Sequence, residues 1–267
     1  MRKWSRPSSS PASIANVSGL NAEGVKEALV LLVLIYARVF EDGVVGIDVH
    51  GGGGFFEFQE TGYLVERLYK AAYGDAAGTS NFGTTHQLAV PVVRFSEFLS
   101  DTQQIGKDVV VGQAGWEQQL ENNKVAFTRI FVLRSRFGIA YPTTLAPTQL
   151  VDALFSNAAV SPSATDRNAA IAEFGGAGNT ANADARARAL RRVAENSILV
   201  QQEKNRAFVL NQYFGYLRRN PNDAPDPDYT GYDFWLTKLN QFNGNFINAE
   251  MVKAFILSGE YQGRFGP

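Results

Sequence analysis

From Phe55 to the end of the chain, apolar residues recur every three or four positions and almost nowhere alternate. That spacing lines one face of a helix, whereas a half-buried strand needs a period of two. Tyr63, Leu64, Arg67, Leu68 and Ala72 make one such stripe, and Gly74 is a natural residue to end it. Phe95, Phe98 and Leu99 predict a short helix, and Trp116 opens a long one through Leu120, Phe127, Ile130, Phe131 and Leu133. Pro147 suits a first helical turn ahead of Leu150, Val151 and Leu154. Ser161–Pro162 reads as a cap and first helical position, with Gly175 and Gly176 as the stop. Asp184 is the expected cap of a helix carrying Leu190, Val193 and Ala194. Further helices are predicted over Asn205–Leu217, Tyr232–Leu239 and Asn248–Tyr261. The stretch from Gly74 to about Gln87 reads as a loop, and Val109–Val111, between glycines, as a short extended piece. About eight helices result, so the expected fold class is all-α.

The first 54 residues read differently. Met1–Val17 is rich in Ser and Pro and predicts a flexible arm. Ala22–Phe40 predicts a helix apolar on most sides in its second half, which must be buried in a core or against a partner. Its apolar run, Ala28–Ala37, is about half of the roughly 20 residues a membrane-spanning helix needs. Arg2, Lys3 and Arg6 precede that run as they would in a signal peptide, but Glu23 and Glu27 interrupt and no small-residue cleavage site follows cleanly. Gly51–Gly54 reads as a flexible joint; a phosphate-cradling loop would need a Lys-Ser or Lys-Thr pair after it, and none is there. An apolar helix beside such a joint suits exchange between subunits.

Composition removes several classes of function. With 45% hydrophobic and 19% charged residues the chain is globular, and a net charge of −1 implies no nucleic-acid partner. The absence of cysteine excludes disulfides, thiolate metal sites and cysteine nucleophiles. His50 and His86 are the two histidines, too few for a histidine-rich metal site. No catalytic or cofactor-binding constellation is apparent.

Two stretches resemble each other. Trp116-Glu-Gln-Gln-Leu120 echoes Trp235-Leu-Thr-Lys-Leu239, and Phe131 to Phe137 echoes Phe255 to Tyr261. Tyr141-Pro142 parallels Phe265-Gly266-Pro267, and Leu68-Tyr69 with Tyr73 parallels Gln212-Tyr213 with Tyr216. Trp and Leu four apart share a helical face, so an aromatic of the next helix can close over them. Trp116 and Trp235 are therefore expected as core anchors. The expected organisation is an N-terminal arm and apolar helix over 1–54, a first helical unit over 55–142, connecting helices over 143–204 and a second unit over 205–267.

Phe208-Val-Leu-Asn-Gln-Tyr-Phe-Gly-Tyr-Leu-Arg-Arg-Asn-Pro221, then Gly231-Tyr-Asp-Phe-Trp235, then Phe255-Ile-Leu-Ser-Gly-Glu-Tyr261, resembles the bacterial family called domain of unknown function 4214. Its usual form is an aromatic helix ending in Leu-x-Arg-x-Pro-Asp, a Gly shortly before a Trp, and a closing Phe-x-x-Ser-x-Glu-Tyr or Phe. Here Asn222-Asp223 stand where the Asp falls. The resemblance is close over Asn205–Phe265 and looser over Phe55–Tyr141. It implies repeated helical modules of bacterial surface or secreted proteins, and no catalytic residues.

The most suggestive local chemistry lies in Asn220–Asp233. Acidic oxygens at alternate positions suit calcium. Asp226, Asp228, Thr230 and Gly231 fit positions one, three, five and six of a calcium loop, but position twelve is Thr237, not a bidentate Glu. The candidate metal ligands are Asp226, Asp228, Thr230 and Asp233. The other reading is an Asp- and Pro-rich turn capping the Trp235 helix through Asp228 or Thr230. Tyr229 and Tyr232 are candidates for stacking on sugars; Arg186, Arg188, Arg191 and Arg192 are a candidate cluster for phosphate or nucleic acid, but their spacing on a helix with Glu195 favours a solvated face. The expected function is a non-catalytic structural or interaction module at a bacterial surface or outside the cell, with a homo-oligomer or another surface protein as partner. A calcium- or carbohydrate-binding module is the alternative, and a hydrolase of unrecognised type, drawing paired carboxylates from this loop, the third.

Overall fold

The structure is a computed structural model that describes residues 53–265, with side chains from residue 61 onward. The expected arm over 1–17, the apolar helix over 22–40 and the glycines at 51 and 52 lie outside the described residues.

Helix α1, Gly53–Tyr73, is the hub, packing on α2 (Phe95–Ile105), α5 (Pro147–Asn157), α7 (Ala183–Ala194) and α8 (Ser197–Gln212). Its stripe fills the centre of the core, with Leu64, Val65, Leu68 and Ala72 buried. It ends as its sequence implies: Gly74 takes φ +74° and its N–H donates to the Lys70 carbonyl at 2.8 Å. Gly53 and Gly54 are its first residues, so half of the expected glycine joint is helix. Helix α3, Trp116–Leu133, lies against α7, and the short α4, Ser135–Ala140, folds back on it. α6, Ala164–Ala172, packs on α5 and α7. After α8 the chain winds into one π-helical turn, Tyr213–Leu217, and continues through α9 (Thr230–Gln241), α10 (Met251–Ile256) and α11 (Gly259–Phe265). The molecule is mostly helical, as the periodicity predicts, in eleven α-helices among the described residues.

The departures have local causes. The expected loop after Gly74 is an antiparallel hairpin, β1 (Asp75–Ser80) and β2 (His86–Pro91), paired from Asp75↔Pro91 to Ser80↔His86. Its inward residues on β1 are Gly78 and Ser80, so no apolar alternation announces it. A Cβ on Gly78 would stand 2.6 Å from Val90 and 2.8 Å from Tyr229, so glycine is what lets the hairpin sit flat on its neighbours. Val109–Val111 is a series of turns, tied down where Asn123 of α3 donates to the carbonyls of Ile105 and Lys107 at 2.8 and 2.7 Å. Pro147 occupies the first turn of α5 as expected. The α6 cap is Ser163, not Ser161, accepting from Asp166 N–H at 3.1 Å, and the α7 cap is Asn182, not Asp184, accepting from Ala185 N–H at 3.0 Å. Asn248–Tyr261 is two helices, because Gly259 opens a new one under the Ser258 cap.

The two tryptophans differ. Both are partly buried against the core, and Trp235 meets Phe255 at 5.6 Å between ring centroids. Trp116 begins the same helix that carries Phe131 fifteen residues on, roughly 22 Å along the axis, so no closure over that ring is possible.

Candidate functional site

The loop from Arg218 to Tyr229 leaves the π turn at Arg218, which takes φ +52°, and runs along the open edge of β1 into α9. Arg219 is buried and anchors it. Its guanidinium donates to both oxygens of Glu260 on α11 at 2.8 and 3.0 Å and to Asp226 at 2.6 Å. It also donates to the carbonyls of Asn220, Pro221 and Asp223, over the face of Tyr213 at 5.4 Å. A planar five-donor fork suits this closure where a lysine would not. Asn220 accepts from the Phe95 N–H at 2.8 Å, capping α2, and Arg94 reaches Asn222, Asp223 and Tyr229. Burial works against the Asp223 charge, but the backbone and amide bonds from Asn220 outweigh it and hold the carboxyl below its usual range.

The four candidate metal ligands face three different partners. Asp226 closes on Arg219 at 2.6 Å. Asp228 accepts from Thr230 N–H at 2.9 Å and from the Asn81 amide at 2.6 Å, while the Thr230 hydroxyl accepts from Asn81 N–H at 2.8 Å. Asp233 accepts from Ser80 Oγ at 2.6 Å and lies 3.2 Å from His86 Nε2. Among the described residues, no group of three or more His, Asp or Glu is placed to hold a metal ion. These contacts clasp the hairpin tip to the start of α9, and Tyr229 N–H adds a backbone bond to Thr79 at 2.9 Å. The N-cap position of α9 is Tyr229, which makes no side-chain cap bond; Asp228, one residue before it, accepts from the first helical N–H, at Thr230, in a local turn.

Ser80, Asp233 and His86 are not a nucleophile triad. Ser80 is fully buried and donates straight to Asp233 Oδ2, the same oxygen that His86 Nε2 approaches, whereas general-base activation needs the imidazole between the serine and the carboxylate. Tyr229 and Tyr232, expected as exposed stacking surfaces, are buried in the core. The exposed aromatics here are Phe82 of the hairpin turn and Phe234 of α9, edge to face at 5.5 Å.

The arginine cluster of α7 splits. Arg186 is buried, which corrects its placement on a solvated face; it donates to the carbonyls of Tyr141 and Thr180 and lies over Phe137. Arg188 and Arg192 share Glu173, and Arg191 forks onto Glu121 at 2.6 and 2.7 Å. With Arg129 on Asp184 they line a shallow groove of about 430 Å³ between α3 and α7 whose charges are mutually paired.

One polar feature escaped the sequence reading. Glu66 and Lys70 of α1 and Glu203 of α8, all buried, join the half-buried Asp75 of β1 and Arg206 of α8 in an ionic cluster under Tyr232. Arg206 donates to Asp75 at 2.6 Å and lies 2.7 Å from Glu203, although its Nε–H does not point at that oxygen. Lys70 donates to Asp75. Burial first, then the Glu203 charge, pushes the Glu66 carboxyl well above its ordinary value. The available signal was a Glu and a Lys four apart beside the apolar stripe of α1. The α3–α7 groove is lined by none of these five residues.

Among the described residues no helix is long and apolar enough to cross a membrane. Compared with protein-family models, curated proteins and solved structures, the chain matches none.

Proposed function

We propose that this chain is a non-catalytic structural or interaction module of a bacterial surface or secreted protein, built from two related helical units of the kind named domain of unknown function 4214. The observation that carries the reading is where the motif residues go. Arg219 and Glu260 close on each other, Ser258 caps α11, and Gly231 leaves the hollow that the Tyr213 hydroxyl occupies. These contacts, each within the fold, support reading the motif as a fold unit.

Matched aromatic geometry supports the pairing of units. Tyr69 meets Phe131 at 5.1 Å and 82°, and Tyr213 meets Phe255 at 5.2 Å and 85°. Tyr73–Phe131 and Tyr216–Phe255 are tilted at 39° and 42°. Phe137–Tyr141 lie at 4.7 Å and 49°, and Tyr261–Phe265 at 5.0 Å and 45°. These are the pairs that the sequence correspondence aligns.

Thermal melting with millimolar calcium, against a chelator control, separates this reading from a calcium-binding module. The proposal expects the same midpoint in both. A clear upward shift in calcium would mean a folded-state site around Asp226, Asp228, Thr230 and Asp233 and would favour the ligand-binding reading.

A further inference from the structure

His86 opens β2 at the hairpin tip and stands between two acceptors. Its Nδ1 lies 2.7 Å from the Thr84 carbonyl oxygen, and its Nε2 lies 3.2 Å from Asp233 Oδ2 on α9. That carboxylate oxygen already accepts from the Ser80 hydroxyl at 2.6 Å. A neutral imidazole carries one N–H, so one of its nitrogens must present a lone pair. With the proton on Nδ1, the Nε2 lone pair sits beside a carboxylate. With the proton on Nε2, the Nδ1 lone pair meets the Thr84 carbonyl. The imidazolium has a donor at each nitrogen and a positive charge beside Asp233, and so suits both neighbours.

We propose that His86 is a proton-operated latch on the hairpin: protonated, it holds the tip to α9, and neutral, it lets the tip loosen. The closed tip favours the bound proton, so the hold is present in acid and is lost as rising pH takes the ring proton away. Asp233 is the charged partner of the ring among the described residues. Asp228, at the same tip, is held below the usual carboxylate range by its bonds from Thr230 and then Asn81, so it stays charged while an imidazole titrates. Asp75 of β1 lies at the other end of the hairpin, with Lys70 and Arg206. On α9 the next charge is Lys238, over Trp235. The Asn81 contacts to Asp228 and Thr230 do not involve His86, so the neutral ring loosens the tip without freeing it. The tip carries the exposed Phe82, and its contact with Phe234 of α9 loosens too.

The test is nuclear magnetic resonance of the full chain carrying His50→Gln, which leaves one imidazole. The ring nitrogen shifts show at which pH it is charged and at which it is neutral. Backbone exchange at Ser80 and His86, corrected for its intrinsic pH dependence and referred to α1 amides, is then compared in the two states. The His86 side chain is 41% exposed, so the expected loss of protection in the neutral state is about threefold, with the remaining ring proton on Nδ1. Asp233→Asn keeps an acceptor for Ser80 without the charge and is expected to abolish the difference. Equal protection in the two states would overturn the proposal, and so would a loss that persists in Asp233→Asn.

Discussion

At position 231 even one added carbon is too many. A Cβ on Gly231 would stand 2.5 Å from the Tyr213 hydroxyl, with the next ring atom at 3.7 Å. Gly231→Ala is expected to cost about 1–3 kcal/mol of overpacking in denaturant unfolding, and Tyr213→Phe to restore most of it by removing the clashing oxygen. Equal losses in the single and double variants would place the strain elsewhere. Glu66 is the second telling residue. Its carboxyl is raised well above the ordinary 4.5, so the folded form keeps a proton that the unfolded chain loses. The unfolded state therefore binds fewer protons as pH rises. The contribution is fully present below the ordinary carboxylate range and declines as pH climbs from there through the raised folded value. Glu66→Gln, which cannot ionise, is expected to flatten that decline in melting profiles. A profile as steep as the parent's would mean that Glu66 does not carry it.

Among the elements, the hairpin is the one whose position depends most on polar contacts. Asn81 alone supplies a backbone donor to Thr230 and an amide donor to Asp228. Asn81→Ala removes the amide contact from an exposed site, so the expected global loss is small, about 1 kcal/mol. Hydrogen exchange reads the local effect: faster exchange of Thr79, Ser80 and His86 amides with protection in α1 unchanged is the predicted outcome. Unaltered exchange in β1 and β2 would show that Tyr229 and Gly78 packing hold the hairpin without the clasp. This element also marks where the sequence stopped being readable. Helices were legible because Leu64, Leu68, Leu150, Leu154 and Leu190 must face one side at helical spacing. β1 was not, because Gly78 and Ser80 are selected by the close approach of Val90 and Tyr229 and by Asp233, partners far along the chain. The candidate loop was legible as an Asp- and Pro-rich turn leading into α9. Its separation into three partner groups depended on Ser80, Asn81 and Arg219, whose proximity no local pattern encodes.

Across the whole molecule, the units delimited in sequence interlock. The hairpin, early in the chain, lies on α9 near its end, and α1 packs on helices from 95 to 212. The ionic cluster follows the same logic: Lys70 and Glu66 of α1 meet Glu203 and Arg206 of α8. Such a molecule is expected to unfold as one cooperative unit. Phe131→Ala and Phe255→Ala, the matched centres of the two aromatic groups, should each lower the shared transition by about 3–5 kcal/mol. Two separate transitions, each moved by one substitution, would show that the units fold independently.

Arg219 and Glu260, on this proposal, serve the fold. The most direct test is a double-mutant cycle between Arg219→Met and Glu260→Gln, read by guanidinium unfolding. Breaking a buried, bidentate ion pair predicts a loss of about 3 kcal/mol for the arginine variant and a coupling of at least about 1 kcal/mol between the two sites. Losses near zero, or losses that simply add, would contradict the account and return Arg219 and Glu260 to the search for a ligand.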